Sequence, residues 1–365
     1  MKSWDAIIAG AGIIGLALAI ELRKAGLSVL VVERGEPGRE ASWAAGGMLA
    51  DCGLEIPAAL QPLATASARM YPEFVHELED ESGLKIDLRA VGTLLFPDDY
   101  AAFQQRERGQ VALATAGEAP ALLSSGALDE LEPALRVSTG VALYLEERCV
   151  DPRGLMAAAI AAARHRGVDF SSGDQVLEVA IVAGRAAGVR TTKTRFAAGT
   201  VINCAGAWAG QIGPQRFPTR PVKGQMLCVA MPKKELVRHV IRTPEVYLIP
   251  RSDGRMLIGA TAEEAGFDKQ TVPGTIQKMR QAALALVPEL ANAKILEAWA
   301  GLRPGTPDDL PILGATPTPG YFVAAGHFRD GILLAPATAR VMGQIIAGQA
   351  PQSDLSAFSS ARFQH

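Results

Sequence analysis

The chain has 365 residues, 48% of them apolar, with a formal net charge of −2. That length allows two structural units or one large one, and the balance marks a soluble globular protein without the basic excess that holds nucleic acid or anionic lipid. Cys52, Cys149, Cys204 and Cys228 are scattered, with no C-x-x-C pair, no H-E-x-x-H and no G-x-S-x-G elbow, which suits reduced thiols in a cytoplasm and gives zinc, other metal or serine hydrolase chemistry no residues to use.

Asp5 to Ala9 reads as a short buried strand that runs into Gly10-Ala11-Gly12-Ile13-Ile14-Gly15. An apolar helical pattern follows from Leu16 to Ala25, Gly26 stops it, and a second strand from Leu27 to Val32 finishes on Glu33. In this register the glycines form a dinucleotide fingerprint. Gly10 permits the tight turn, Gly12 lets backbone approach a pyrophosphate at the helix N-terminus, and Gly15 lets the helix pack on the strand. Glu33 is placed to accept from both ribose hydroxyls. Arg34 would suit a 2′-phosphate, but the acid before it repels one, so adenosine without that phosphate is expected. Lys2 and the run Ala6 to Ile20 superficially resemble a leader peptide, yet a leader has no reason to carry the second half of a fold. Glu21, Arg23 and Lys24 cut the run short of the roughly 18 apolar residues a membrane span needs.

Beyond a turn at 34–38, the small residues Ala44-Ala45-Gly46-Gly47-Met48 allow backbone to lie against something flat, or simply form a structural loop. Helical patterns are expected over Pro57 to Ser82 and Tyr100 to Thr115, with a short helix or turn at Leu128 to Leu135. Val91 to Phe96 and Val141 to Leu145 read as strands. Asp151-Pro152 supplies an N-cap and first-turn proline for a helix reaching His165. Strands are expected at Val168 to Phe170 and Gln175 to Val179, a hairpin over Ala183 to Phe196, and a buried strand over Thr200 to Trp208, whose small residues bring the chain to a cofactor edge. From Pro221 the pattern changes to alternating strands at Met226 to Ala230, Val246 to Pro250 and Met256 to Ala260, then a helix from Pro273 to Leu286. Ile312 to Gly314 and Tyr321 to Ala325 return to the opening style. Gly326 to Gly331 then turns into a final helix near Ile346, which Pro336 should kink unless it lies in the first turn. The fold class is therefore α/β. A Rossmann-type nucleotide-binding domain is assembled from discontinuous segments 1–85, 148–220 and 299–365, and an antiparallel-sheet α+β substrate domain from 86–147 and 221–298.

The fingerprint with Glu33, the 44–48 loop, Pro221 to Gln225, Trp299 to Pro304 and Gly326 to Pro336 together resemble the D-amino-acid oxidase family of FAD-dependent oxidoreductases, most of all its glycine-oxidising branch that serves thiamine biosynthesis. The resemblance implies FAD, held by Gly10, Gly12, Ile13, Ile14, Gly15 and Glu33 at the nucleotide end. It implies Ala44, Ala45, Gly46, Gly47 and Met48 at the ring, with Met48 also in the substrate pocket. Val176 and Gly206 would contact the adenine side and a cofactor edge. Gly301, Arg303, His327, Arg329, Gly331 and Ile332 would complete the ring site, and the helix from Gly331 would point its positive end at the flavin pyrimidine oxygen. Related sarcosine oxidases attach flavin through a late cysteine; none follows Cys228 here, so non-covalent FAD is expected.

The same resemblance implies a small amine substrate carrying a carboxylate. Arg303, read as lying in a turn between Gly301 and Pro304, would clamp that carboxylate bidentately, Tyr247 would add a hydrogen bond, and Arg329 would stand near the amine, with a structural role open beside it. The implied reaction is hydride transfer from the α-carbon to flavin N5, giving glyoxylate or a 2-oxo acid, ammonia or an amine, and hydrogen peroxide. A D-amino-acid dehydrogenase that reduces a quinone is the alternative; an idle nucleotide-binding module and an NAD-dependent dehydrogenase fit the residues less well. Glu245 stands where the family example carries histidine, which leaves open the choice among glycine, sarcosine and small D-amino acids. By analogy the enzyme would be a cytoplasmic homotetramer with no nucleic-acid or membrane partner.

Overall fold

The strand Ser3–Ala9 pairs in parallel with Val29–Glu33 on one side and with Arg195–Asn203 on the other. In the computed structural model, which describes residues 2–52, 56–98, 120–137 and 141–363, Asp169–Ser172 extends this sheet beyond Val29–Glu33, and Tyr321–Ala325 extends it beyond Arg195–Asn203. The helix expected over Tyr100 to Thr115 lies outside the described residues. Val29–Glu33 is buried at every position, as a parallel strand covered on both faces must be. Chain order reverses between Ser3–Ala9 and Arg195–Asn203, so the carboxyl ends of these strands, at Gly10 and Cys204, form a topological switch point. The Ala183–Gly184 turn joins the antiparallel strands Val176–Val182 and Arg185–Thr191. The strand expected over Thr200 to Trp208 instead ends at Asn203 and gives way to a 3-10 turn at Gly206–Gln211.

Helices Ile13–Lys24, Gln61–Ser82, Pro152–His165 and Gly331–Ile346 share one apolar core with the sheet. Asp151 caps the third of them, its Oδ1 accepting from the Arg153 N–H at 3.0 Å, with Pro152 in the first turn.

The second sheet runs in the order 294–305, 220–230, 255–259, 247–250, 240–242, 93–95, 142–145, 121–123, antiparallel except for the parallel pair Val240–Arg242 and Thr93–Leu95. One of its strands is longer than the sequence suggests and another, Lys294–Gly305, is not expected from it. Arg220–Ala230 begins well before Met226, because Lys223 and Gln225, at 2% and 0% exposure, are buried polar residues with partners, not loop markers. Lys294–Gly305 pairs along it from Arg220↔Gly305 to Ala230↔Lys294. Arg303 is therefore on a strand and not in a turn, and the domain change suggested at residue 299 falls inside that strand. Gly301 and Pro304 read as punctuation; in the fold Gly301 is a strand glycine where another backbone comes close.

Pro336 lies well inside the final helix, beyond its first turn. It cannot donate to the Ile332 carbonyl, and the gap is closed from the Gln61–Ser82 helix. Tyr71 donates its hydroxyl to Ile332 O at 2.6 Å. Ser67 donates to Leu333 O at 2.6 Å and accepts from the Ala337 N–H at 3.2 Å, so its hydroxyl is inserted into the helical ladder. Both residues are fully buried. Replacing Tyr71 by Phe is expected to cost about 1–3 kcal/mol in urea unfolding, the penalty for a buried carbonyl left unpaired. In a Pro336→Ala background the restored N–H can reach that carbonyl and the cost should shrink; an equal cost in both backgrounds contradicts this account.

Candidate active site

Gly10 holds φ at 107°, and a Cβ there would run into the Cys204 carbonyl across the switch point. Gly15 packs against the Gly10 carbonyl, again with no room for a Cβ. At Gly12 the nearest neighbour to a Cβ is Ser42 Oγ, 3.2 Å away, and the open side of this residue faces a cavity. Ser42 also accepts from the Ile13 N–H at 3.0 Å, over the N-terminus of the fingerprint helix. The Glu33 carboxylate, 7% exposed, accepts from the Ala11 and Gly35 N–H groups at 2.8 and 2.9 Å. Each oxygen keeps a lone pair for a further donor.

The cavity measures about 560 Å³, within the range of roughly 300–1,000 Å³ typical of small-molecule and cofactor sites. Every residue assigned from the sequence to cofactor or substrate lines it, with the exception of Gly15, which serves packing alone. Val176 and Gly206 line the end of the cavity near Glu33. There Arg34 lies over the Trp208 ring at 4.1 Å, and Trp208 stacks on Phe267 with centroids 5.1 Å apart. Sequence reading noted Arg34 as a charge beside Glu33 but had no signal for its aromatic partner, which comes from a distant segment.

The 44–48 loop packs tightly on both sides. A Cβ at Gly47, where φ is 80°, would strike the Val150 carbonyl, and one at Gly301 would strike the Ala44 methyl. Arg251, 2% exposed, donates to the Gly46 carbonyl at 2.5 Å from behind the loop. Trp299 Nε1 donates to the Ala44 carbonyl at 3.1 Å. Met48 pairs with Cys149 in a short ladder, which fixes where it meets the cavity.

On the second sheet, residues 222, 224 and 226 face the same way as their partners 303, 301 and 299. Met226 also pairs with Gly259, which pairs with Tyr247, which pairs with Arg242. Glycines at 224, 259 and 301 leave this surface a nearly bare floor. The Arg303 guanidinium lies across Gly224, where a Cβ would stand 2.7 Å from its Cζ, and the Tyr247 ring covers Gly259 in the same way. Arg303 Nη1 donates to the Thr261 carbonyl at 2.8 Å. Burial pulls the Arg303 pKa below its ordinary value, Tyr247 opposes that, and the Arg329 charge adds to it; a guanidinium still keeps its proton. Further along the face, Arg242 and Glu147 form a buried ion pair at 3.1 Å that lines the cavity. Burial, with the Glu147 charge, pushes nearby Asp51 up to about 6.

The turn between Tyr321–Ala325 and the final helix closes the remaining wall. Phe328 is held at φ 45°, a strained conformation for a bulky residue, and its N–H donates to the Pro304 carbonyl at 3.0 Å. Arg329 is exposed at the cavity mouth, over the Phe328 ring at 5.2 Å. Gly331 and Ile332 open the helix onto the cavity. His327 is 3% exposed, its Nε2 3.2 Å from Thr338 Oγ1.

Burial lowers the His327 imidazole from 6.5 to about 3, so it is neutral through the physiological range. The folded value lies below the unfolded one, so its contribution to stability is complete above pH 6.5 and is lost as the pH falls towards 3. Across that window the protein should lose about 1.4 kcal/mol per pH unit more than a His327→Asn variant does. Urea unfolding at stepped pH measures this, and parallel curves for the two proteins contradict it.

Comparison with known proteins agrees with this geometry. Residues 5–345 match the DAO family, described as FAD dependent oxidoreductase. The bifunctional protein ThiO/ThiG of Trichormus variabilis is 37% identical over 366 residues, covering 99% of this chain but 55% of that protein, so the chain spans about half the length of this relative. Glycine oxidase of Pseudomonas aeruginosa is 34% identical over 369 residues, covering 97% of this chain and 98% of that one. The crystal structure of glycine oxidase from Geobacillus kaustophilus matches with a TM-score of 0.92 at 32% identity over 100% of both chains. The cavity suits the cofactor of this family, with the backbone of Gly12 open towards it, two helix N-termini opening on it, and the Glu33 carboxylate among its walls. The chain belongs to the DAO family of FAD-dependent oxidoreductases.

Proposed function

We propose that this enzyme oxidatively deaminates glycine and other small amines, sarcosine and small D-amino acids among them. The products would be glyoxylate or a 2-oxo acid, ammonia or an amine, and hydrogen peroxide. The observation that carries this reading is the Arg303 guanidinium laid over the bare backbone of Gly224, beside Tyr247, on a wall of the cavity.

FAD, which would be held non-covalently since no cysteine follows Cys228, would supply the acceptor for a hydride from the substrate α-carbon, with oxygen as the final oxidant. The chain's own residues position and select. Arg303 takes the carboxylate through a planar fork, and Tyr247 donates to the same group. The glycine floor leaves room for the substrate's α-carbon beside the Arg303 guanidinium. Glu33 and the fingerprint turn hold the adenosine and pyrophosphate. The N-termini of both helices offer N–H groups and positive dipole ends to negative charge, the final helix on the ring side. Orientation of the reacting atoms is the main contribution, worth up to about 7–11 kcal/mol in favourable cases. No acid–base pair is needed when the amine lone pair drives the transfer, which accords with a neutral His327 and with polar groups arranged for binding.

ThiO in the name of the bifunctional relative supports a role in thiamine biosynthesis, where the imine would serve thiazole formation. A cytoplasmic oligomer is part of the same reading; its four cysteines are all free, and among the described residues no helix is long and apolar enough to cross a membrane.

Anaerobic glycine should bleach the yellow enzyme, and air should restore the colour with peroxide released. Arg303→Ala should keep its flavin and raise the glycine KM at least about a hundredfold, the loss expected on removing one partner of a buried charge pair. Unchanged glycine kinetics in that variant refute the clamp. Bleaching that only a dye or quinone reverses points to the dehydrogenase.

A further inference from the structure

We propose that Gln225, Thr261 and Glu263 form a positioning network that fixes the Arg303 guanidinium for carboxylate recognition. The inference rests on the carboxylate clamp proposed above.

Arg303 Nη1 is held by the carbonyl of Thr261, at 2.8 Å. That carbonyl lies just beyond the strand Arg255–Gly259, where regular pairing with Arg220–Ala230 has ended. Its position is set by side chains together with one isolated backbone bridge between Lys223 and Glu263. Thr261 Oγ1 accepts from the Gln225 N–H at 3.0 Å and donates to Glu263 Oε1. Gln225 Nε2 donates to the same Glu263 oxygen at 2.8 Å, and Gln225 Oε1 accepts from the Val272 N–H at 2.7 Å. Backbone bonds between Lys223 and Glu263, 2.9 Å in each direction, close the loop behind it.

Gln225 is fully buried between Gly224 and Met226, a place where an apolar side chain would fill the space at no cost in desolvation. Both ends of its amide are engaged, and so is the Thr261 hydroxyl in both its roles. A satisfied buried network of this kind is rigid. Gly224, Ala260, Thr261 and Ala262 line the cavity, whereas Gln225 and Glu263 do not. These two act through Thr261, whose carbonyl occupies one donor of the Arg303 fork. An arginine has five donors, so this anchor leaves others for a ligand while removing rotational freedom from the plane.

The test uses the FAD-loaded enzyme and acetate as a carboxylate probe, its binding read from the perturbed flavin absorption, alongside glycine kinetics and flavin retention. Thr261→Val, nearly the same shape, and Glu263→Leu should each weaken acetate about tenfold and raise the glycine KM similarly, the effect of losing one polar contact. Turnover at saturating glycine should stay within about twofold, since the alignment of bound substrate is kept. Glu263→Gln retains an acceptor oxygen for Thr261 and Gln225 and should restore near-parental acetate binding. Acetate affinity unchanged in Thr261→Val and Glu263→Leu, but lost in Arg303→Ala, overturns the network and leaves the clamp standing. Unchanged affinity in Arg303→Ala overturns both. A parallel fall in flavin retention, turnover and acetate affinity marks a general structural role and also overturns the network.

Discussion

The site depends on close approach of backbone to backbone, which side chains at a few positions would forbid. At Gly10 the fingerprint turn meets the Cys204 carbonyl, at Gly47 the 44–48 loop meets the Val150 carbonyl, and at Gly301 a strand of the second sheet meets the Ala44 methyl. Each contact removes space that a single methyl would require. The contact at Gly301 is the one that joins the second sheet to the 44–48 loop, and it sets how closely the two approach. Packed interiors do not stretch to accept an extra atom, so this spacing is stiff. At Gly224 and Gly259 the missing side chains leave room for the Arg303 guanidinium and the Tyr247 ring to lie against the strands.

Charge is distributed to suit that slot. Two helices open their N-termini onto it, and cationic Arg303 is drawn into a partly buried position with Tyr247 beside it. Arg242 is paired with Glu147, which lies in the connection just after the strand Ala142–Leu145. Arg251, buried behind the 44–48 loop, donates to the Gly46 carbonyl and so ties the loop to the end of the strand Tyr247–Pro250. A buried ion pair or cation is weak evidence for stability. Here these groups hold backbone in place around a ligand-sized space, which is a stronger reason for their presence.

Much of this was legible in the sequence where the signal is local. Strand, glycine turn, helix, strand and Glu33 follow one another within the first 33 residues, and each glycine needs no distant partner to be understood. The Asp151-Pro152 cap was equally local. The two longest strands of the second sheet were shortened or missed because glycine, proline, lysine and glutamine read as loop residues until their partners are known. Gln225 is buried because Thr261, Glu263 and Val272 surround its polar atoms, and nothing near it in sequence announces them. Pro336 left open a choice between kink and first turn, and the answer came from Ser67 and Tyr71 on another helix. Arg303 is picked out through its motif and not its surroundings; it lines the cavity, but from a strand and not from a turn.

A crystal structure of the FAD-loaded enzyme with bound acetate tests the central claim most directly. The account requires the carboxylate on the Arg303 guanidinium, above the Gly224 backbone, at a hydrogen-bonding distance of about 2.7–2.9 Å. A carboxylate held elsewhere in the cavity, with the Arg303 side chain turned away from it, would contradict the account.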